Sequence, residues 1–148
     1  MEHSARIRVG LAAATALALL AGLGAAAIEG APGPQGTSAT VAAIVDGDTI
    51  ALAGGTRVRL VQIDTPEIGG GECYSRAAAR VLRSLLPVGS RVVLEPDPRL
   101  DGVDRYGRLL RYAWSGGRNL NVELVRRGAA TVWFYGGLRG RYASVLLG

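Results

Sequence analysis

The sequence has no lysine, one cysteine and one histidine. Each scarcity excludes something. Cys73 alone cannot close an internal disulfide or supply a cysteine-type metal site, and it is expected to be a free, half-buried thiol. His3 lies in what reads as a leader, so the folded part has no imidazole for a Ser/His/Asp triad or as a general base. Without lysine, all 17 positive side chains are arginines against 12 acidic residues, for a net charge of +5 and a pI near 10.1. Arginine offers a planar fork of donors that matches phosphate oxygens in pairs, so a basic, all-arginine surface favours a polyanionic partner. Genomic base composition can produce the same bias, and charge alone only hints at nucleic acid. At 148 residues the chain fits one domain, and with 49% apolar residues it can bury a real core. The 22 glycines suit short elements joined by tight turns.

Residues 1–27 read as separate from the fold. Arg6 and Arg8 precede an uncharged run of Ala, Leu, Gly and Val that ends in Ala25-Ala26-Ala27. A basic start, an apolar stretch and small residues at its end make a cleaved secretory signal. The run is nearly long enough to span a bilayer, and an uncleaved membrane anchor is the alternative. Either places the domain outside the cytoplasm. Residues 28–37, rich in Gly and Pro, are expected to be a flexible linker, and 38–148 the folded domain.

Within the domain, 39–45 and 49–52 read as strands around an Asp46-Gly47 turn, and 57–63 as a third strand after Gly54-Gly55. The period then changes. Ala77, Val81, Leu82, Leu85 and Leu86 share one face of a helix predicted over 73–86, which Pro87 ends. Further strands are expected at 91–95 and 107–114, with a turn at Ser115-Gly116-Gly117. Asn119 should cap a helix running to Val125, with Gly128 as its left-handed stop. A short aromatic segment covers 131–135, and a last helix begins within 139–147. Five strands with a helix between the third and fourth suit an α+β fold: a five-stranded Greek-key barrel of the OB type with two to three packed helices.

Three stretches carry candidate chemistry. In Val45-Asp46-Gly47-Asp48-Thr49, Asp-Gly alone explains the turn, but Asp48 is surplus to it. No acidic ladder follows, which excludes an EF-hand loop. In residues 57–67, Arg57 and Arg59 share a strand face, and Asp64 and Glu67 flank Thr65-Pro66 where the strand must end. Carboxylates and a carbonyl at a strand mouth are the hard oxygen donors that Ca²⁺ or Mg²⁺ takes. In Asp104-Arg105-Tyr106-Gly107-Arg108, a β-turn with neighbouring ion pairs is the plain reading. The functional one is an arginine aimed at a phosphate with an aromatic beside it. Together they supply carboxylates for a metal, one carboxylate for a proton, and two guanidinium groups for a phosphate whose charge grows in the transition state.

With Asn121-Val122-Glu123-Leu124-Val125-Arg126-Arg127-Gly128 added, these stretches resemble, in order, those of the thermonuclease, or staphylococcal-nuclease-like, family, over roughly 40–142. The resemblance implies an OB-fold barrel that hydrolyses DNA and RNA with Ca²⁺ (Mg²⁺ not excluded), preferably single-stranded, leaving a 3′-phosphate, as a monomer. It implies Asp48 and Asp64 as metal carboxylates and Thr65 as a carbonyl donor to the metal. Glu67 would be the general base or would orient the water, Arg59 and Arg108 would hold the scissile phosphate, and Tyr106 would line the nucleotide pocket. Trp133, Phe134 and Tyr135 are candidates for base stacking without an assignment among them. Two departures stand out. The segment 68–72 is short, and the helix begun by Tyr142, Val145 and Leu146 stops at Gly148, where family members usually continue through a longer charged helix. The rival function is a non-catalytic nucleic-acid-binding OB module. Against it, carboxylates beside a phosphate groove repel the ligand unless a metal intervenes.

Overall fold

The computed structural model describes residues 34–148. The expected leader (1–27) and residues 28–33 of the expected linker lie outside the described residues.

Five strands close into the expected OB-type barrel. Strand β1 (Thr37–Ile44) pairs antiparallel with β5 (Arg91–Glu95) through its first half and with β2 (Thr49–Leu52) through its second. A register shift between Val41 and Ala43 marks the bulge where it changes partner. An extra residue there bends a strand enough to serve two halves of one barrel. Strand β3 (Arg57–Leu60) runs antiparallel to β2, and β6 (Leu109–Ser115) antiparallel to β5. Parallel pairing of β3 with β6 closes the ring. Asn121, fully buried, crosses that seam: its Nδ2 donates to the Val61 carbonyl at 2.8 Å and its Oδ1 accepts from the Ala113 amide at 3.0 Å.

The interior holds Ile50, Val58, Leu60, Val92 and Leu94 from the barrel, with Leu82 and Leu86 from α1 (Ser75–Leu85) and its cap, and Leu120 and Leu124 from α2 (Leu120–Arg126). As expected, the Asn119 side chain caps α2 by accepting from the Val122 amide, and Gly128 follows at φ 65°. The Gly116-Gly117 turn, both residues at positive φ, leads into β7 (Arg118–Asn119), which pairs back on β6.

The structure differs from the predicted elements in two places. Strand β3 does not reach Ile63. Gln62 adopts φ 66° and turns its side chain inward, where Nε2 donates to the Leu138 carbonyl at 2.9 Å and Oε1 accepts from the Gly140 amide at 2.8 Å. The chain resumes as β4 (Ile63–Asp64) against β8 (Thr131–Val132). Helix α1 starts at Ser75 after a left-handed Tyr74, so Cys73 is exposed on the preceding loop and not half-buried. Its buried face is centred on Ala78, Ala79, Leu82 and Leu85, with Ala77 and Val81 at the margin. The last helix, α3 (Ala143–Leu147), lies within the expected 139–147, and Gly140 and Arg141 ahead of it are pinned by Gln62 and Asp97. No side chain fits at Gly140, where a Cβ would lie 2.4 Å from the Tyr112 hydroxyl.

Candidate active site

The turn between β1 and β2 delivers Asp48, and the β2–β3 register sets Arg59 opposite Thr49. The Asp48 carbonyl accepts from the Leu60 amide at 2.8 Å, which fixes the turn to β3. Gly47 is required by proximity. A Cβ there would stand 2.6 Å from the Ala78 side chain and 2.9 Å from Thr65 Oγ1. Without a side chain, the turn packs directly against α1 and the end of β4, and Asp48 meets Thr65.

Asp48 is buried at 5% exposure. Its Oδ1 accepts from Thr49 Oγ1 at 2.9 Å and its Oδ2 from the Thr65 amide at 3.1 Å. Burial pushes its carboxyl above the usual range, and Arg59 and the two threonine donors only partly offset this. Arg59 Nη2 lies 3.4 Å from Asp48 Oδ2 and 2.6 Å from Asp64 Oδ1, so one guanidinium serves two carboxylates unequally. Its Nη1 donates to the Ile63 carbonyl at 3.0 Å. Asp64 is half exposed at the strand mouth. Thr65 Oγ1 is buried without a partner among the described residues, a polar atom left over beside the carboxylates.

Arg108 is held from its own turn. Asp104 Oδ1 accepts from the amides of Tyr106 and Arg108, at 2.9 and 3.0 Å, and its Oδ2 from Arg108 Nε at 2.6 Å. Gly107 at φ 78° makes this turn possible. The ion-paired β-turn and the aimed arginine are thus one object. Arg105 and Arg108 both lie over the exposed Tyr106 ring, at 4.8 and 5.4 Å from its centre.

Arg59, Tyr106 and Arg108 line one groove of about 430 Å³, and Trp133 and Tyr135 form its wall. These two are the aromatics facing the groove among the three left open by sequence. Asp64 and Thr65 line a neighbouring groove of about 470 Å³ against Tyr74, Ala77 and Val81. Glu67 is exposed beyond them. Its amide donates to Glu72 Oε2 at 2.9 Å, and the next amide, of Ile68, donates to Asp46 Oδ1 at 3.2 Å. Glu67 lines neither groove.

Sequence reasoning missed Gln62, which carries the groove wall by holding Leu138 and Gly140. The one available signal was a polar residue late in an otherwise regular strand pattern.

Among the described residues, no three His, Cys, Asp or Glu side chains gather closely enough to hold an ion by themselves. The donors present are two carboxylates facing one guanidinium nitrogen and the Thr65 carbonyl. They are hard oxygen donors of the kind that Ca²⁺ and Mg²⁺ take, and the set is incomplete, which suits an ion that shares its remaining positions with water and substrate. A buried carboxylate pushed upward and an unpartnered hydroxyl beside it fit an added positive charge. The arrangement as a whole can bind an anion through two arginines next to a place for a hard cation.

The family model described as staphylococcal nuclease homologue matches residues 57–147. A thermonuclease of Staphylococcus intermedius is 37% identical over 108 residues, covering 68% of this chain and 62% of that protein. A thermonuclease of Staphylococcus hyicus is 32% identical over 99 residues, covering 62% of this chain and 57% of that protein. Endonuclease YhcR of Bacillus subtilis (strain 168) is 31% identical over 105 residues, 62% of this chain but 8% of its own length. The chain thus spans about three-fifths of the length of the two thermonucleases it matches.

Proposed function

The chain belongs to the staphylococcal nuclease homologue family, and from that premise we propose that it is a metal-dependent nuclease hydrolysing phosphodiester bonds of DNA and RNA. The observation that carries this is the groove in which Arg59 and Arg108 stand together beside Asp48 and Asp64. Two guanidinium groups bind a phosphodiester and then stabilise the charge that develops as phosphorus becomes five-coordinate. Tyr106 presents its ring to the adjoining nucleoside. Glu67, on its exposed loop, takes the proton from the attacking water. Asp48, Asp64 and the Thr65 carbonyl hold the divalent ion, Ca²⁺ first and Mg²⁺ second. When bound, that ion polarises the phosphate and lowers the pKa of water. In-line attack opposite the 5′-oxygen breaks the bond from that oxygen to phosphorus; the oxygen departs with the bonding pair and takes a proton from solvent, and the phosphate stays on the 3′ end. The open groove favours single strands, whose bases are free to stack. We assign the domain to the extracytoplasmic space, with residues 1–27 as a cleaved signal or an anchor, and expect a monomer.

The test is cleavage of single-stranded DNA and of RNA by the purified chain in Ca²⁺, in Mg²⁺ and in chelator, beside Glu67→Gln. Metal-dependent cutting that drops ~100- to 1000-fold in Glu67→Gln supports the assignment, by analogy with other transition-state contacts. A folded chain that binds DNA and never cuts it retires the nuclease and leaves a binding module.

A further inference from the structure

Helix α1 breaks rules that a purely structural surface helix obeys. Residues 73–94 contain four arginines and no carboxylate. Arg76 sits in the first turn, where the helix dipole favours acids and where α1 has none. Arg76 and Arg80 are spaced i,i+4, and Arg80 and Arg83 i,i+3, so like charges neighbour each other along one exposed face. None of the three joins an ion pair among the described residues. The helix also starts without a side-chain cap. Its packing comes wholly from the opposite face, through Ala78, Ala79, Leu82 and Leu85. Local rules broken without a gain in packing point to use of that face.

Its position says what it meets. A groove of about 480 Å³ lies over Tyr74, Ser75, Arg76 and Arg80. It shares Glu72, Tyr74 and Ala77 with the groove that ends on Asp64 and Thr65. A strand lying across Asp64, which Arg59 meets at 2.6 Å, therefore continues over α1 through two grooves with common walls.

We infer that Arg76, Arg80 and Arg83 form a phosphate track that holds a single-stranded nucleic acid beyond the cleavage position. The inference rests on the nuclease reading for the identity of that strand. Along the axis the three arginines are roughly 6 and 4.5 Å apart, and their flexible stems let each reach a separate phosphate. Interactions of this kind position a strand without reading its sequence. Glu72 is the carboxylate of the groove over α1, and its Oε2 is already engaged by the Glu67 amide. Tyr74, 83% exposed, offers a ring on which a base can stack. Long strands reach the track and very short ones do not.

The experiment measures binding of the full chain, in chelator, to labelled DNA single strands of about 20 nucleotides and of about three, between about 50 and 200 mM salt. It compares Arg76→Gln/Arg80→Gln/Arg83→Gln with a charge-matched Arg91→Gln/Arg99→Gln/Arg118→Gln, whose arginines are exposed on other elements. Glutamine keeps helix propensity close to that of arginine. For the long strand, the track variant should flatten the slope of log affinity against log salt by about 2, at about 0.7 for each phosphate no longer neutralised. It should also shrink the preference for long over short strands, while the control variant changes neither. Equal flattening by both variants, no flattening, or equal weakening on both lengths overturns the track. Stripe-dependent binding to anionic lipid vesicles with no change on DNA overturns it as well. None of these readings needs turnover. A wild-type chain that never cuts fails the nuclease reading while still testing the track.

Discussion

Two clusters of carboxylates, arginines and aromatics occupy this one small barrel, and they behave as opposites. At the groove, Asp48 and Asp64 divide a single guanidinium, Asp64 is half exposed, and Thr65 Oγ1 has no partner among the described residues. At the C-terminal side, Glu95 is 2% exposed and closed on itself. It accepts from Trp114 Nε1 at 2.8 Å and from the Tyr142 hydroxyl at 2.9 Å, and it pairs with Arg141. Asp97, also buried, accepts the amides of Arg99 and Arg141, and Tyr142 stands edge-on to Tyr112 at 4.7 Å. Composition does not separate the two clusters. Access does: the first opens beside a groove, and the second is enclosed, with both carboxylates engaged in tying the C-terminal segment to β5 and β6, although the Tyr112 hydroxyl among them, like Thr65 Oγ1, is buried without a partner among the described residues. A buried carboxylate is evidence for chemistry only where it stands beside a groove.

That contrast breaks most visibly by single substitutions read on two axes, rate and stability. Arg108→Ala should lower cleavage ~100- to 1000-fold. It should barely move the thermal midpoint, because its ion pair with Asp104 is confined to one turn. Glu95→Ala should do the reverse. It leaves Trp114 Nε1 and the Tyr142 hydroxyl without their acceptor, a loss of roughly 3 kcal/mol, while the folded fraction cuts at a near-normal specific rate. Denaturant titration and initial rates on the same preparations check both. If Glu95→Ala stays folded but stops cutting, the closed cluster belongs to the machinery and the contrast fails.

Local signals made most of the barrel legible in advance. The Asp46-Gly47 turn, the Asn119 cap and the Gly128 stop are written within a few residues each, and they hold in the structure. The grouping of Asp48, Arg59 and Asp64 was legible as spaced motifs. What sequence could not reveal is set by interactions distant in the chain. The break of β3 and the pinning of the segment ahead of α3 both follow from Gln62 bonding residues 76 and 78 positions away. Glu95 and Asp97 fall in no motif, and only the fold brings Arg141 and Tyr142 to them. The sharing of Arg59 and the division of the predicted site between two grooves are likewise three-dimensional facts.

Gln62 joins the two regions, since it is anchored at the β3–β4 corner and grips the segment leading to Arg141. Its φ of 66° is a conformation that glycine adopts freely and glutamine does not. Two substitutions separate that strain from the clamp. Gln62→Ala keeps the strain and loses two hydrogen bonds, at a cost of about 2 kcal/mol. Gln62→Gly loses the same bonds but relieves the strain, and should be more stable than the alanine variant by about 1 kcal/mol. Equal stability of the two variants by urea titration would mean that the corner stores no strain and the clamp alone shapes it.

The smallest effect concerns a pair that is both at the groove and internally satisfied, Asp104 with Arg108. Burial by itself would raise the Asp104 carboxyl, but the amides of Arg108 and Tyr106 and the Arg108 guanidinium outweigh it and hold the carboxyl below its ordinary 3.8. A carboxyl lowered in the folded state contributes stability that is present above its unfolded value and is lost as pH falls through the folded one. Asp104→Asn should therefore be less stable than the parent above about pH 4, by under about 1 kcal/mol for a partly exposed pair. The gap should close as the solution is acidified. Asparagine still offers an oxygen to the two amides, so it removes the charge while keeping the turn. Thermal midpoints of the two chains at neutral and acid pH decide the matter. If the gap persists at low pH, the turn's hydrogen bonds and not the ion pair hold Arg108 in the groove, and Arg108 is positioned by the same closed geometry as the Glu95 cluster.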